Sequence, residues 1–179
     1  FYAESVLGKD EPRVGLMSVG EEENKGGPQV RERNRLLKAA GINFIGNVEG
    51  SDVFGDNVDV IVCDGFTGNV ILKVAEGFGE MVVGMLMDEV RQSPMYGAGL
   101  LMAKGAFRNL RSKVDYAEYG GAPLLGVGGA CLIGHGRSSA KAIRNAIRFG
   151  ASYASCGVID KIGDKILEVL ASSPPRRAN

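Results

Sequence analysis

The chain has 179 residues, enough for one well-buried core, and 45% apolar content with ordinary charge density is the composition of a globular protein. Lys plus Arg and Asp plus Glu are equal at 21 each, which excludes a global field drawing the chain to nucleic acid, so any anion must be held by local geometry. No basic leader opens the chain and no apolar run reaches the roughly 18 residues of a membrane span, so a soluble or peripheral protein is expected.

Phe1 to Gly8 reads as the last turns of a helix stopped by Gly8, and the chain is expected to be a fragment without its amino-terminal part. Arg13 to Val19 forms a strand, Gly20 to Gly27 a charged loop, and Pro28 to Ala40 a helix with Pro in its first turn and Gly41 just beyond its end. Ile42 to Gly46 is a second strand with the loop Asn47 to Asp52. The third strand is the apolar run Val58 to Cys63. Strands alternating with helices through short loops predict an α/β sandwich with a parallel sheet.

From Asn69 to about Arg91, Val70, Val74, Phe78, Met81, Met85 and Leu86 recur at helical spacing in spite of Gly77, Gly79 and Gly84. Each internal Gly costs about 1 kcal/mol against Ala, so tertiary packing must support this helix. After the break at Ser93-Pro94 a second helix over about 99–110 completes a helical hairpin spanning about 69–113. Two readings of it stand. One is a core or dimer arm with a solvated basic face. The other is a membrane-surface contact through Met95, Tyr96, Leu100, Leu101 and Met102 beside Lys104, Arg108, Arg111 and Lys113. Further on, Ser138 or Ser139 caps a helix to about Tyr153, and a last helix runs from about Val158 to Leu170. The segment 172–179, with its Pro pair and Arg pair, reads as a disordered tail.

Two loops carry the candidate chemistry. In the first, Asp64, Gly65, Thr67, Gly68 and Asn69 follow an apolar strand, with Lys73 one turn into the next helix. The plainer reading of that loop is a turn in which Asp64 bonds its own backbone amides. The unit recurs where Ala130 to Ile133 runs into Gly134, His135, Gly136, Ser138 and Ser139, with Lys141 opening a helix. Gly on both sides of the single histidine lets a ligand approach the backbone closely, and the hydroxyls, the Lys and the helix amides suit a small anion. The triplet Glu21 to Glu23 reads as a solvated loop. Cys63, Cys131 and Cys156 are odd in number, lie in apolar context and lack zinc spacing, the pattern of reduced core thiols in a cytosol. No metal-ligand spacing, Walker loop or Gly-x-Ser-x-Gly elbow occurs, and Gly126 to Gly129 precedes rather than follows its strand, unlike a dinucleotide loop.

Five blocks in order carry a family resemblance: Gly20-Glu21-Glu22 with Lys25-Gly26, Phe44 to Gly50, Val62 to Val70, Asp115 to Gly126, and Ile133 to Gly136. Together, from Tyr2 to Ile147, they resemble the PlsX family, the phosphate acyltransferases of bacterial phospholipid synthesis. The resemblance implies an enzyme moving a fatty acyl group from acyl carrier protein to inorganic phosphate, giving acyl phosphate; phosphate is already an anionic nucleophile, so no metal or cofactor is expected. It further implies a three-layer α/β/α sandwich like isocitrate/isopropylmalate dehydrogenase and phosphotransacetylase, a homodimer, and peripheral membrane association in some members. Ser51 stands where the family usually has Arg, and the family's Gly-rich amino-terminal opening does not occur. On this reading the chain is the carboxyl-terminal part of one α/β domain. His135 stabilises the thioester oxygen or protonates the leaving thiolate, Asp64 shares the catalytic site, and both loops hold phosphate. The alternatives are a phosphotransacetylase acting on acyl-CoA and a non-catalytic piece serving dimerisation or membrane docking.

Overall fold

A computed structural model describes residues 1–108 and 120–172. The secondary structure is α/β with a parallel sheet. In chain order the elements are α1 (Tyr2–Leu7), β1 (Val14–Met17), α2 (Pro28–Ala39), β2 (Phe44–Val48), a 3-10 turn (Gly50–Phe54), β3 (Val60–Val62), α3 (Gly65–Arg91) and α4 (Pro94–Met102). Then come β4 (Ala122–Pro123), β5 (Leu132–Ile133), α5 (Ala140–Ser155) and α6 (Val158–Ser172). The described residues fall into two compact units, Phe1–Val62 with the residues from 120 onward, and the residues from Cys63 to 108.

In the first unit the three long-range strands run parallel in the order β2-β1-β3, with Leu16 opposite both Asn47 and Val62. Leu16 is 1% exposed and Val48 is 5% exposed, so the sheet's own apolar face makes the core. Gly15 is required there, because a Cβ on it would lie 2.6 Å from Val48 Cγ1. This packing explains why β2 reaches Val48 where the sequence suggests a loop from Asn47: pairing with β1 continues to Met17 and carries Val48 into the core. The short turn Gly50–Phe54 is also absent from the sequence reading, and it is set by a reciprocal cap between Glu49 and Asp52.

At the opposite end of the sheet Asp59 joins β1 to β3. It accepts from the Arg13 N–H and Arg13 Nε, both at 2.9 Å, and pairs with Lys9 at 3.1 Å. Those bonds, led by the Arg13 side chain, hold the Asp59 carboxyl well below the usual carboxylate range. Around the helices the core is Ala142 and Val158, both 0% exposed, with Tyr153 packed edge-on to Tyr2 and stacked on Phe149. Burial is the main cause that raises the Tyr2 hydroxyl above its ordinary value.

Two expectations are corrected here. Leu132–Ile133 is not a parallel strand: it pairs antiparallel with Ala122–Pro123 in a separate two-stranded sheet, because the Gly-rich 124–131 segment turns the chain back as a hairpin. The thiols are not uniformly buried either. Cys131 is exposed on that hairpin, while Cys63 and Cys156 are half-buried.

In the second unit α3 packs against α4 as the expected hairpin. Helix α4 begins at Pro94 rather than near 99, since Pro suits its first turn and the Ser93 hydroxyl accepts from the Met95 N–H at 3.3 Å. Helical backbone resumes at 104–108. The remainder of the hairpin, with Arg111 and Lys113, and the tail from 173 lie outside the described residues. No residue of α3 is buried, and Val74, Phe78, Met81 and Met85 are each more than half exposed. Among the described residues no helix is long and apolar enough to cross a membrane.

Candidate functional site

The two candidate loops end in helix starts of different electrical character. Helix α3 begins at Gly65, so the residues read as a loop from Gly65 to Asn69 are its first turn and Asp64 is its N-cap. The Asp64 carboxylate accepts the Thr67 N–H at 2.9 Å and the Thr67 hydroxyl at 2.7 Å. These bonds, the backbone one foremost and aided by the Phe66 N–H, hold the Asp64 carboxyl below its ordinary value. The Gly68 N–H donates to the Asp64 carbonyl at 3.0 Å and belongs to the helix. Lys73 extends forward to Glu76 at 2.7 Å rather than back toward the helix start. Gly68 packs by its own loop, where a Cβ would meet Cys63 Sγ at 3.1 Å, and Asn69 is exposed. This helix start therefore carries its own anion. Thr67 is committed to Asp64, and an ionised Asp64 opposes a second negative charge.

The His135 loop is arranged differently. The Arg137 N–H donates to His135 Nδ1 at 3.2 Å, while the Ser138 N–H and hydroxyl both donate to the His135 carbonyl at 2.9 and 2.7 Å. A backbone N–H can only donate, so Nδ1 is the accepting nitrogen and the ring proton sits on Nε2. His135 and Gly136 are exposed, and Gly136 borders open space. Gly134 leaves 3.6 Å between a Cβ and Ser138 Oγ.

Helix α5 starts immediately after. The Ser139 hydroxyl accepts the Ala142 N–H at 3.2 Å, the expected cap, and no acidic residue lies in the first turn. Lys141 stands in that turn and Arg137 in the loop before it. A cation is disfavoured at a helix N-terminus by about 0.3–1 kcal/mol, so the placement of Arg137 and Lys141 beside this helix start suits an anion there. Arg137 was absent from the residues singled out in the sequence, although its place in Gly134-His135-Gly136-Arg137 gives the signal directly.

At the hairpin tip Met95, Tyr96, Leu101 and Met102 are between 56% and 91% exposed, an apolar surface that water does not favour. Leu100 differs. It lines a cleft of about 260 Å³ with Leu86, Val90, Tyr96 and Phe107.

The profile of the fatty acid synthesis protein family matches residues 1–161. The chain is 53% identical over 167 residues to a phosphate acyltransferase of Geotalea uraniireducens (strain Rf4), covering 93% of this chain and 48% of that protein. It is 49% identical over 174 residues to a phosphate acyltransferase of Syntrophotalea carbinolica, covering 97% and 49%. With one of Geobacter sulfurreducens it shares 48% over 165 residues, covering 92% and 48%. The chain spans about half the length of the curated relatives it matches.

Proposed function

The chain belongs to the fatty acid synthesis protein family, and on that premise we propose that the protein transfers a fatty acyl group from acyl carrier protein to inorganic phosphate. What carries this reading is identity near 50% to phosphate acyltransferases along more than nine-tenths of the chain. The start of α5, capped by the Ser139 hydroxyl and without an acidic residue in its first turn, supports it.

Phosphate is an anionic nucleophile at neutral pH, so the reaction needs orientation and charge stabilisation more than a base. A phosphate oxygen attacks the thioester carbonyl carbon, the C–S bond breaks, and the thiolate leaves and takes a proton from solvent, giving acyl phosphate. The His135 loop holds the phosphate through the amides at Gly134, Gly136 and the α5 start, with Arg137, Ser138, Ser139 and Lys141 around it. His135 acts through its Nε2–H as a hydrogen-bond donor to developing negative charge. Proton delivery suits it less, because a neutral imidazole giving up Nε2–H leaves an imidazolate, and a protonated ring sets Nδ1–H against the Arg137 N–H. Asp64, bonded to Thr67, orients the first turn of α3.

The broader architecture proposed is the carboxyl-terminal part of a three-layer α/β/α domain in a homodimer, cytoplasmic, with the exposed hairpin tip resting on the inner membrane surface. The test is hydroxamate trapping of acyl phosphate with long-chain acyl carrier protein and with acyl-CoA as donors. Phosphate-dependent product from the carrier thioester is expected. Product from acyl-CoA alone would favour the phosphotransacetylase reading.

A further inference from the structure

The parallel order β2-β1-β3 puts the reversal of strand order between β1 and β3, and in open α/β sheets ligands bind outside the carboxyl ends of the strands at such a point. The segment leaving β1 there is the loop Gly20–Gly27. It is fixed by a buried relay. Asn34 Nδ2 on α2 donates to Asn47 Oδ1 on β2 at 2.8 Å, and Asn47 Nδ2 donates to the Glu22 carbonyl at 2.8 Å. Asn34 is 4% exposed and Asn47 is 7% exposed. The same carbonyl accepts the Lys25 N–H at 3.0 Å. Gly26 adopts φ +82 with no room for a Cβ against Val30, and Lys38 pairs with Glu23.

Two apolar side chains of similar shape would fill the Asn34 and Asn47 positions at little or no cost in stability, since a net hydrogen bond contributes only about 1 kcal/mol. What the amide pair adds is a fixed place for the loop backbone. We infer that Asn34 and Asn47 are positioning residues that hold Gly20–Gly27 as a rigid wall of the substrate site, on the side of the acyl thioester donor. The donor side follows by elimination: the proposed reaction places phosphate at the His135 loop, and in this wall Glu22 and Glu23 are paired with Lys25 and Lys38. The inference rests on the acyl-transfer reading.

The test is the double variant Asn34→Leu/Asn47→Leu of the protein, with hydrogen exchange of the 20–27 amides and steady-state kinetics measured together. Expected are an unchanged melting temperature, exchange in 20–27 faster by about tenfold or more, and a fall in kcat/KM for the acyl thioester of about tenfold or more. The KM for phosphate stays within about twofold, since the loop does not hold it. Unchanged exchange overturns the anchoring, and faster exchange with intact kcat/KM overturns the role in the site. Should the double variant not fold, Asn47→Ser, which removes the amide that donates to the Glu22 carbonyl, is judged by the same two criteria. A wild-type protein without acyl transfer overturns the site role together with the reaction, while the exchange rates still decide the anchoring.

Discussion

The Asp64 carboxylate accepts the backbone N–H of Thr67 at 2.9 Å and its hydroxyl at 2.7 Å, so helix α3 is capped by its own anion. The folded-state carboxyl lies below its ordinary value, and its contribution is therefore complete above the unfolded-chain value of about 3.9 and is lost as the pH falls below it. Asp64→Ala should lower the melting temperature at pH 7 and flatten the loss of stability on acidification. Asp64→Asn should keep most of the cap, because Asn is nearly as good an N-cap, while also flattening the acid limb. Thermal melts from pH 7 to 3 check both.

Gly120 lies where the chain passes along α5. A Cβ there would stand 2.2 Å from the Ala146 nitrogen and 2.5 Å from the Ala142 oxygen, at φ +79. Backbone cannot move aside as a side-chain tip can, so Gly120→Ala should cost about 3 kcal/mol or more, or prevent folding. Gly136→Ala meets open space and should change stability by less than about 0.5 kcal/mol. The same substitution crowds the proposed approach of phosphate to the loop. Chemical denaturation of both variants, with the KM for phosphate of Gly136→Ala, separates packing from function.

Arg137 and His135 share one turn, yet their substitutions should produce different kinetics. Arg137→Ala removes an exposed charge at the α5 start and should raise the KM for phosphate about tenfold, with weaker dependence on ionic strength. His135→Ala removes a donor to charge that develops in the transition state and should lower kcat by about 10² or more. A His135→Ala enzyme within about threefold of wild type would remove the ring from the chemistry.

At the hairpin tip Leu101 and Met102 are 72% and 91% exposed, whereas Leu100 lines the cleft against α3. Leu101→Glu/Met102→Glu therefore tests membrane contact without disturbing the hairpin. Burying one such side chain is worth about 1.5–3 kcal/mol, so the double variant should bind anionic liposomes at least about tenfold more weakly in sedimentation. Equal sedimentation of both forms would end the membrane reading.

Much of the fold was legible in the sequence because its signals are local. Gly8 ends α1 at φ 64, Pro28 opens α2, and Ser139 caps α5, each as its residue type predicts. Boundaries set by distant partners were not legible. Val48 belongs to β2 because it fills space beside Gly15, and Leu132 pairs antiparallel because Ala122–Pro123 lies beside it. At the site, the sequence showed two Gly-flanked loops ahead of helices. It did not show that Asp64 caps one helix start with its own carboxylate while the other is capped by the Ser139 hydroxyl with no acidic residue in its first turn, a distinction that depends on which atoms the side chains reach.

In the proposed reaction phosphate itself receives the acyl group. The direct measurement is ³¹P NMR of the purified protein with acyl carrier protein thioester and inorganic phosphate, alongside free-thiol titration. An acyl phosphate resonance growing in equal amount to released thiol is predicted. Thiol release without that resonance would mean transfer to water, and would contradict the account.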